Sequence, residues 1–284
     1  MTKPTSHFER DQALGLEPDM RDMPREVRNI LHPVKMGMEN TFQFRCHPEI
    51  DCFNACCSHI EIILTPYDIL RLRRRLDRTA EEFLYEYATP YTLTKGQLPV
   101  ALMRMDPETG KCPFNTPEGC SVYSDRPVAC RYYPIGLALM HEANGQGNQE
   151  FFYLIKEGYC HGHQEQRAWT IREWRTDQGS DGYDARNQGW MELILKRRSA
   201  GDGVSSSLQL SEFFYMASTN VEAFRNFVFS STFLQRYDVS RETIASIRDD
   251  DEALIDFACD WLKTVLFGDQ KIPLRAEALS ELAQ

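Results

Sequence analysis

Eight of the nine cysteines in this 284-residue chain fall between Cys46 and Cys160, and two of them, Cys56 and Cys57, are adjacent. The order is Cys46, Cys52, Cys56, Cys57, Cys112, Cys120, Cys130 and Cys160; the ninth, Cys259, stands alone in a helical stretch. A run this dense constrains the fold, because thiols that oxidise and scavenge metals are kept where their thiolates bind something. The chain is long enough to bury a core without staples, at 42% hydrophobic and 26% charged residues. The N-terminus is polar with no apolar signal region, and no window holds 18 consecutive apolar residues, so a cytoplasmic location and no membrane span are expected. In a reducing compartment a cysteine cluster reads as metal ligands rather than disulfides.

Charge narrows the partners. The net charge is −10. Residues 201–284 alone carry 14 acidic against 7 basic residues. That balance argues against a nucleic-acid partner, which needs a basic face. It leaves open a protein partner for the acidic C-terminal third. The basic run Arg71 to Arg75 reads as a solvated helix face.

The periodicities predict an α+β fold, mostly helical: a small strand-and-loop cysteine-rich domain with a C-terminal helical cap. Residues 1–40 read as an irregular arm broken by prolines. Residues 41–165 read as the metal-binding domain and 166–284 as the helical region. Short strands are expected at Ile60–Leu64, Leu98–Met105 and Glu150–Lys156. Thr65-Pro66-Tyr67-Asp68 and the capping boxes Thr79-x-x-Glu82 and Thr170-x-x-Glu173 mark helix starts. Ser124 or Asp125 is expected to cap a short helix carrying Cys130. Further helices are expected at Tyr183–Arg198 and near 208–217, 219–232, 240–248 and 250–267.

Successive side chains diverge, so Cys56 and Cys57 do not both face one small ion. The doublet points to two metal centres, or to one ligand beside a bystander. Zinc is held by four tetrahedral ligands, and iron–sulfur clusters also take four thiolates. Eight thiolates divide into two sets of four, some of Cys46, Cys52, Cys56 and Cys57 joining some of Cys112, Cys120, Cys130 and Cys160. The spacing leaves the partition open, and leaves iron–sulfur against zinc open with it. Four thiolates on Zn²⁺ carry excess negative charge, which Arg126 and Arg131, flanking Cys130, are placed to offset unless they serve in ordinary salt bridges. His47, His59, His161 and His163 lie close to cysteines; His161 and His163 are the candidates among them for ligands. Tyr132 and Tyr133 read as core, and so does Cys259.

Phe44-x-Cys46, Cys52-Phe53-x-x-Cys56-Cys57, Leu64-Thr65-Pro66-Tyr67-Asp68, Cys112-Pro113-Phe114, Gly119-Cys120-x-x-Tyr123-x-x-Arg126-Pro127-x-x-Cys130-Arg131-x-Tyr133-Pro134 and Cys160-x-Gly162 together resemble the YkgJ-type cysteine-cluster family. The resemblance covers about residues 42–163 and implies a zinc- or iron-chelating domain. One departure is the opening, Cys46-x5-Cys52-x3-Cys56-Cys57, where the family has Cys-x2-Cys-x2-Cys-Cys. The cysteine pattern is also similar to that of flagellin lysine methylases, which implies an iron–sulfur centre coupled to protein modification as an alternative function. No dinucleotide loop, Walker A loop, zinc-protease helix or serine-nucleophile motif is present.

Overall fold

The computed structural model describes residues 31–92, 98–141, 148–199 and 208–278. Its fold is α+β and mostly helical, as the periodicities predict. The chain divides into two compact units, neither continuous in sequence: residues 1–63 with 102–185, and residues 64–101 with 186–284. No helix among the described residues is long and apolar enough to cross a membrane.

The cysteine-bearing unit is built on two small antiparallel sheets. In the larger, Leu31–Met36, Asn148–Ile155 and Ile135–His141 lie side by side with Asn148–Ile155 in the middle. Its hairpin register pairs Ile135 with Leu154 and Gly136 with Tyr153. The first thirty residues of the expected arm lie outside the described residues, while Leu31–Met36 form a strand. Pro33 is tolerated there because it lies on an edge strand, where the register shifts between His32 and Met36. Glu150–Lys156 was the expected strand; its partner Ile135–His141 was not, since Gly136 weakens the strand signal. A Cβ at Gly136 would come within 2.2 Å of the Tyr153 ring. The glycine is there to let that ring lie across the neighbouring strand, where Tyr153, Ala138 and Ile155 form a buried cluster.

The second sheet pairs Thr41–Gln43 with Ala168–Thr170, setting Phe42 opposite Trp169. Trp174 follows on the helix Ile171–Gln178, which opens with the predicted capping box at Thr170 and Glu173 and ends at Gly179 in left-handed backbone. Phe42, Phe44 and Trp169 meet the Trp174 ring edge-on at 5.3–5.8 Å. The helix carrying Cys130 starts later than expected, at Val128. Ser124 and Asp125 bond to each other at 2.6 Å instead of capping it, and they sit in a separate 3-10 turn, Tyr123–Asp125. Extended backbone at Arg126 and Pro127 separates the two.

Behind this helix lies a buried polar group. The Tyr132 hydroxyl donates to Asp184 Oδ2 at 2.5 Å and Arg175 Nη2 donates to the same oxygen at 2.9 Å. Burial pushes the Asp184 carboxyl up to about 6, more than Tyr132 and Arg175 pull it down.

The other unit is helical apart from strand segments at its chain entries and the strand Ala88–Thr92. The helix Pro66–Arg75 has Thr65 and Asp68 in a complete capping box, and Ala80–Tyr87 has the same from Thr79 and Glu82. The helices Leu208–Thr219, Val221–Ser230, Arg241–Asp249 and Asp251–Phe267 fall within a few residues of the four expected spans, and a one-turn helix, Phe233–Arg236, stands between them unexpected. Trp261 is 2% exposed and lies within 5.4–5.9 Å of Phe213, Phe224, Phe227 and Phe233. The basic run is not a free solvated face. Arg73 and Arg74 bond to Asp251 at 2.5 and 2.9 Å, and Arg225 joins them at 2.6 Å. Burial opposes ionisation of Asp251, but bonds from Arg225 and Arg74 and the charge of Arg73 hold its carboxyl below the usual range. Cys259 is buried, as expected of an apolar position.

Two stability predictions follow from the cysteine-bearing unit. Gly136→Ala should cost about 1–3 kcal/mol, because the ring it strikes is locked in a buried cluster; urea denaturation measures it, and an unchanged midpoint would refute the packing account. Asp184 is protonated more readily folded than unfolded, so its contribution is present below its unfolded value and is lost as pH rises through about 6. The stability of the wild type relative to Asp184→Asn should therefore fall by about 1–2 kcal/mol between pH 4.5 and 7.5. A difference that is flat or rises over that range would contradict it.

Candidate metal centre

Three backbone crossings bring the cysteines together. Strand pairing of Thr41–Gln43 continues as Phe44 N–H to Arg167 O at 2.9 Å and Arg45 N–H to Gly162 O at 3.0 Å, which lays Cys46 beside the loop after Cys160. Gly162 has no room for a side chain, since a Cβ would lie 2.7 Å from Phe44. Residues 47–57 then fold in successive tight turns, with Asn54 in left-handed backbone leading into the 3-10 helix Ala55–Cys57. Finally, Ser58 bridges Lys111, His59 N–H bonds Gly110 O at 2.7 Å and Cys112 N–H bonds Cys57 O at 2.8 Å. That stitch sets the doublet against the second half of the cysteine run. The His59 ring packs over Gly110, where a Cβ would be 2.3 Å away.

Two neighbourhoods result. In the first, Cys46 feels the charges of Cys56, Cys160 and Cys52, and Cys160 feels those of Cys52 and Cys56. Partial burial of its sulfur and these like charges push the Cys46 thiol up to about 12, although the residue as a whole is exposed. Cys56 is pushed above the usual thiol range by its bond to the Cys57 side chain, then by burial and by the charges of Cys57 and Glu157. Burial raises Cys160 too, against hydrogen bonds from the Tyr133 hydroxyl and the Gly162 N–H that favour its thiolate. Cys52 accepts a hydrogen bond from the His161 N–H at 3.2 Å.

The second neighbourhood holds Cys112, Cys120 and Cys130. The hairpin Asn115–Thr116 with Gly119–Cys120 pairs Asn115 with Cys120 and returns Cys120 toward Cys112. Burial pushes Cys112 up to about 11, against the Phe114 N–H and with the charge of Cys120 adding. Burial also raises Cys120, against the Val122 N–H and the Arg126 charge. Cys112, Cys120 and Cys160 thus each receive the N–H two residues on. This knuckle turns a loop's amides toward a sulfur and stabilises a charged one.

The two arginines part company. Arg126 faces Cys120 and Cys130 electrostatically. Its guanidinium stacks 3.8 Å above the Tyr123 ring and bonds Tyr123 O and Gln178 Oε1. Arg131 is committed elsewhere: it donates to Arg126 O at 3.0 Å, Gln178 O at 2.7 Å and Ser124 O at 2.6 Å, and lies over Tyr183. It ties loops together from behind the cysteines.

Among the histidines, His163 packs its ring on Phe44 at 5.1 Å, and burial lowers its proton affinity. His47 lies between Glu49 and Glu165. His161 serves Cys52 through its backbone. Tyr133 is not simply core: it is half-buried and touches both Glu157 and Cys160. Glu157 and Tyr159 were not singled out by the sequence, although both lie within three residues of Cys160.

All nine cysteines are free thiols. Among the described residues, no three His, Cys, Asp or Glu side chains already stand in a metal-ligating arrangement. The donor set nevertheless fits a soft or borderline metal in kind. It offers several thiols within mutual electrostatic reach, amide and hydroxyl donors aimed at the sulfurs, and burial that keeps the thiols protonated until a cation stabilises their anions.

Residues 45–173 match the CxxCxxCC family, described as a putative zinc- or iron-chelating domain. This is the cysteine-cluster family that the motifs resemble, and metal chelation is the property its description carries. No curated protein and no solved structure matches the chain.

The arginines give a test. Arg131→Met should lower stability by about 2–4 kcal/mol, because three carbonyls lose a charged donor, while metal content in the folded protein stays unchanged. Arg126→Met should weaken metal retention. Equal metal loss in the two variants, with metal counted per folded chain, would overturn this division of roles.

Proposed function

We infer that the chain chelates metal through its clustered thiolates, and that Cys46, Cys52, Cys56 and Cys160 hold one iron or zinc centre. The observation that carries this reading is the backbone bonding that brings Cys46 and Cys52 to the Cys160 loop, Arg45 N–H to Gly162 O and His161 N–H to Cys52, with Cys46 and Cys160 each in electrostatic reach of Cys52 and Cys56. Cys112, Cys120 and Cys130, with Cys57 beside them, form the second set. Cys57 joins it through its carbonyl, which accepts the Cys112 N–H. The doublet then joins the two sets: Cys56 meets Cys46 and Cys160, while Cys57, whose side chain bonds that of Cys56, backs Cys112 through its carbonyl. Zinc bound this way would brace the loops, and an iron–sulfur cluster would carry an electron. Nine free thiols suit a reducing cytoplasm.

Metal analysis with an absorption spectrum on protein purified without oxygen tests the reading. Iron with acid-labile sulfide and brown colour identifies an iron–sulfur centre; colourless protein with about one or two zinc ions per chain identifies structural zinc. Protein that holds neither metal, and takes up neither after reduction, refutes the inference. Cys46→Ser and Cys160→Ser should empty the first set and spare the second, with the converse for Cys112→Ser and Cys130→Ser. Full metal content in Cys130→Ser would remove that residue from the ligands.

A further inference from the structure

Beside Cys160 stands a group that metal chelation by thiols alone does not require. The Tyr133 hydroxyl lies 3.2 Å from Glu157 Oε2 and also reaches the Cys160 sulfur. The Tyr159 hydroxyl donates to the same Glu157 oxygen. Glu157 in turn lies close enough to Cys56 for its charge to act there. The Tyr133 ring is held edge-on against Phe44 at 6.0 Å, so its hydroxyl has little freedom to move away. A phenol has one proton to donate. Here it has two acceptors, one a carboxylate and the other a candidate metal ligand.

Placing a carboxylate beside Cys56 is costly, since an ionised thiol and Glu157 repel one another. A carboxylate kept in such a place by two tyrosines has a use that an apolar residue would not have. Tyr159 already gives Glu157 a hydrogen bond, which weakens its claim on the Tyr133 proton.

We propose that Tyr133 is a positioning residue for the metal centre, donating its hydroxyl hydrogen bond to the Cys160 thiolate, and that Glu157 and Tyr159 set how fully it does so. The proposal rests on the reading that Cys160 ligates the metal. Such a bond draws charge from a ligand sulfur, which makes it a poorer electron donor to the ion and fixes its direction.

Cobalt(II) bound to the reduced full-length chain under anaerobic conditions gives the readout, because its thiolate-to-metal charge-transfer band follows the energy of the sulfur lone pairs. Tyr133→Phe should move the band to longer wavelength and speed cobalt loss to a chelator about tenfold. Tyr159→Phe removes the other donor to Glu157 and should shift the band the same way by less, because Glu157 then competes harder for the Tyr133 proton. Glu157→Ala removes the competitor and should shift it to shorter wavelength. A purely structural role would produce losses of fold without opposite spectral signs.

A wild-type band in folded Tyr133→Phe overturns the proposal. If that variant does not fold, shifts of the same sign or of no size in Tyr159→Phe and Glu157→Ala overturn it equally. Cys160→Ser separates the two readings: a spectrum identical to wild type would remove Cys160 from the ligands and sink the premise rather than the role of Tyr133.

Discussion

A thiol withdrawn from water and set beside other thiols surrenders its proton only when a cation takes its place, and the cysteine-bearing unit is organised round that constraint. Partial burial favours the neutral form of Cys46, Cys56, Cys112, Cys120 and Cys160, and repulsion from neighbouring thiols adds to it at all of them but Cys120. The countervailing groups are few and specific: amide N–H donors two residues beyond Cys112, Cys120 and Cys160, the His161 N–H at Cys52, and one hydroxyl. These donors favour the charged sulfur without supplying a full positive charge, which Arg126 adds at Cys120. The scaffold follows from this need. Edge-paired strands and a three-rung backbone stitch hold short loops steady enough for their amides to point at sulfur.

The two thiol groups differ in the charge placed next to them. Cys120 and Cys130 have the Arg126 guanidinium as neighbour, anchored by Tyr123 and Gln178. Cys56 has a carboxylate, Glu157, anchored by two tyrosines. A nearby cation lowers the demand a thiolate set makes on its metal, and a nearby anion raises it. The two sets would therefore not be equivalent in affinity or in electronic character even with identical sulfur ligands. This asymmetry follows from side chains that the cysteine spacing does not reveal.

Much of the fold could be read locally. Three capping boxes, at Thr65, Thr79 and Thr170, form as their sequences indicate, because both partners lie within one helical turn. The late helices keep their expected spans for the same reason. The Leu31–Met36 and Ile135–His141 strands were less legible: each is a strand because of what it pairs with, and Pro33 and Gly136 hide the pattern. At the candidate site, the cysteines and Arg126 could be read from residue type and spacing, whereas the contact between the Cys56 and Cys57 side chains runs against the divergence expected of neighbouring residues. The grouping of the thiols could not be read, since it depends on the Cys57–Cys112 stitch. Nor could the fate of Arg131, whose three carbonyl partners come from backbone turns, or the roles of Tyr133 and Glu157, which sequence places among ordinary core and surface residues.

The discontinuous layout of the units has a consequence in time. Residues 64–101 belong with the helices, so the chain interrupts the cysteine-bearing unit after Cys57 and resumes it before Cys112. During synthesis Cys46, Cys52 and Cys56 leave the ribosome about a hundred residues ahead of Cys160. At ordinary elongation rates that is a gap of roughly 5–20 seconds. For that interval the early thiols lack both their fourth companion and the hydrogen-bond donors of residues 160–162. They emerge as flexible, solvated thiols, open to oxidants and to whatever metal is nearby. The reducing power and metal supply around the nascent chain thus decide what these sulfurs meet before the finished fold can discriminate.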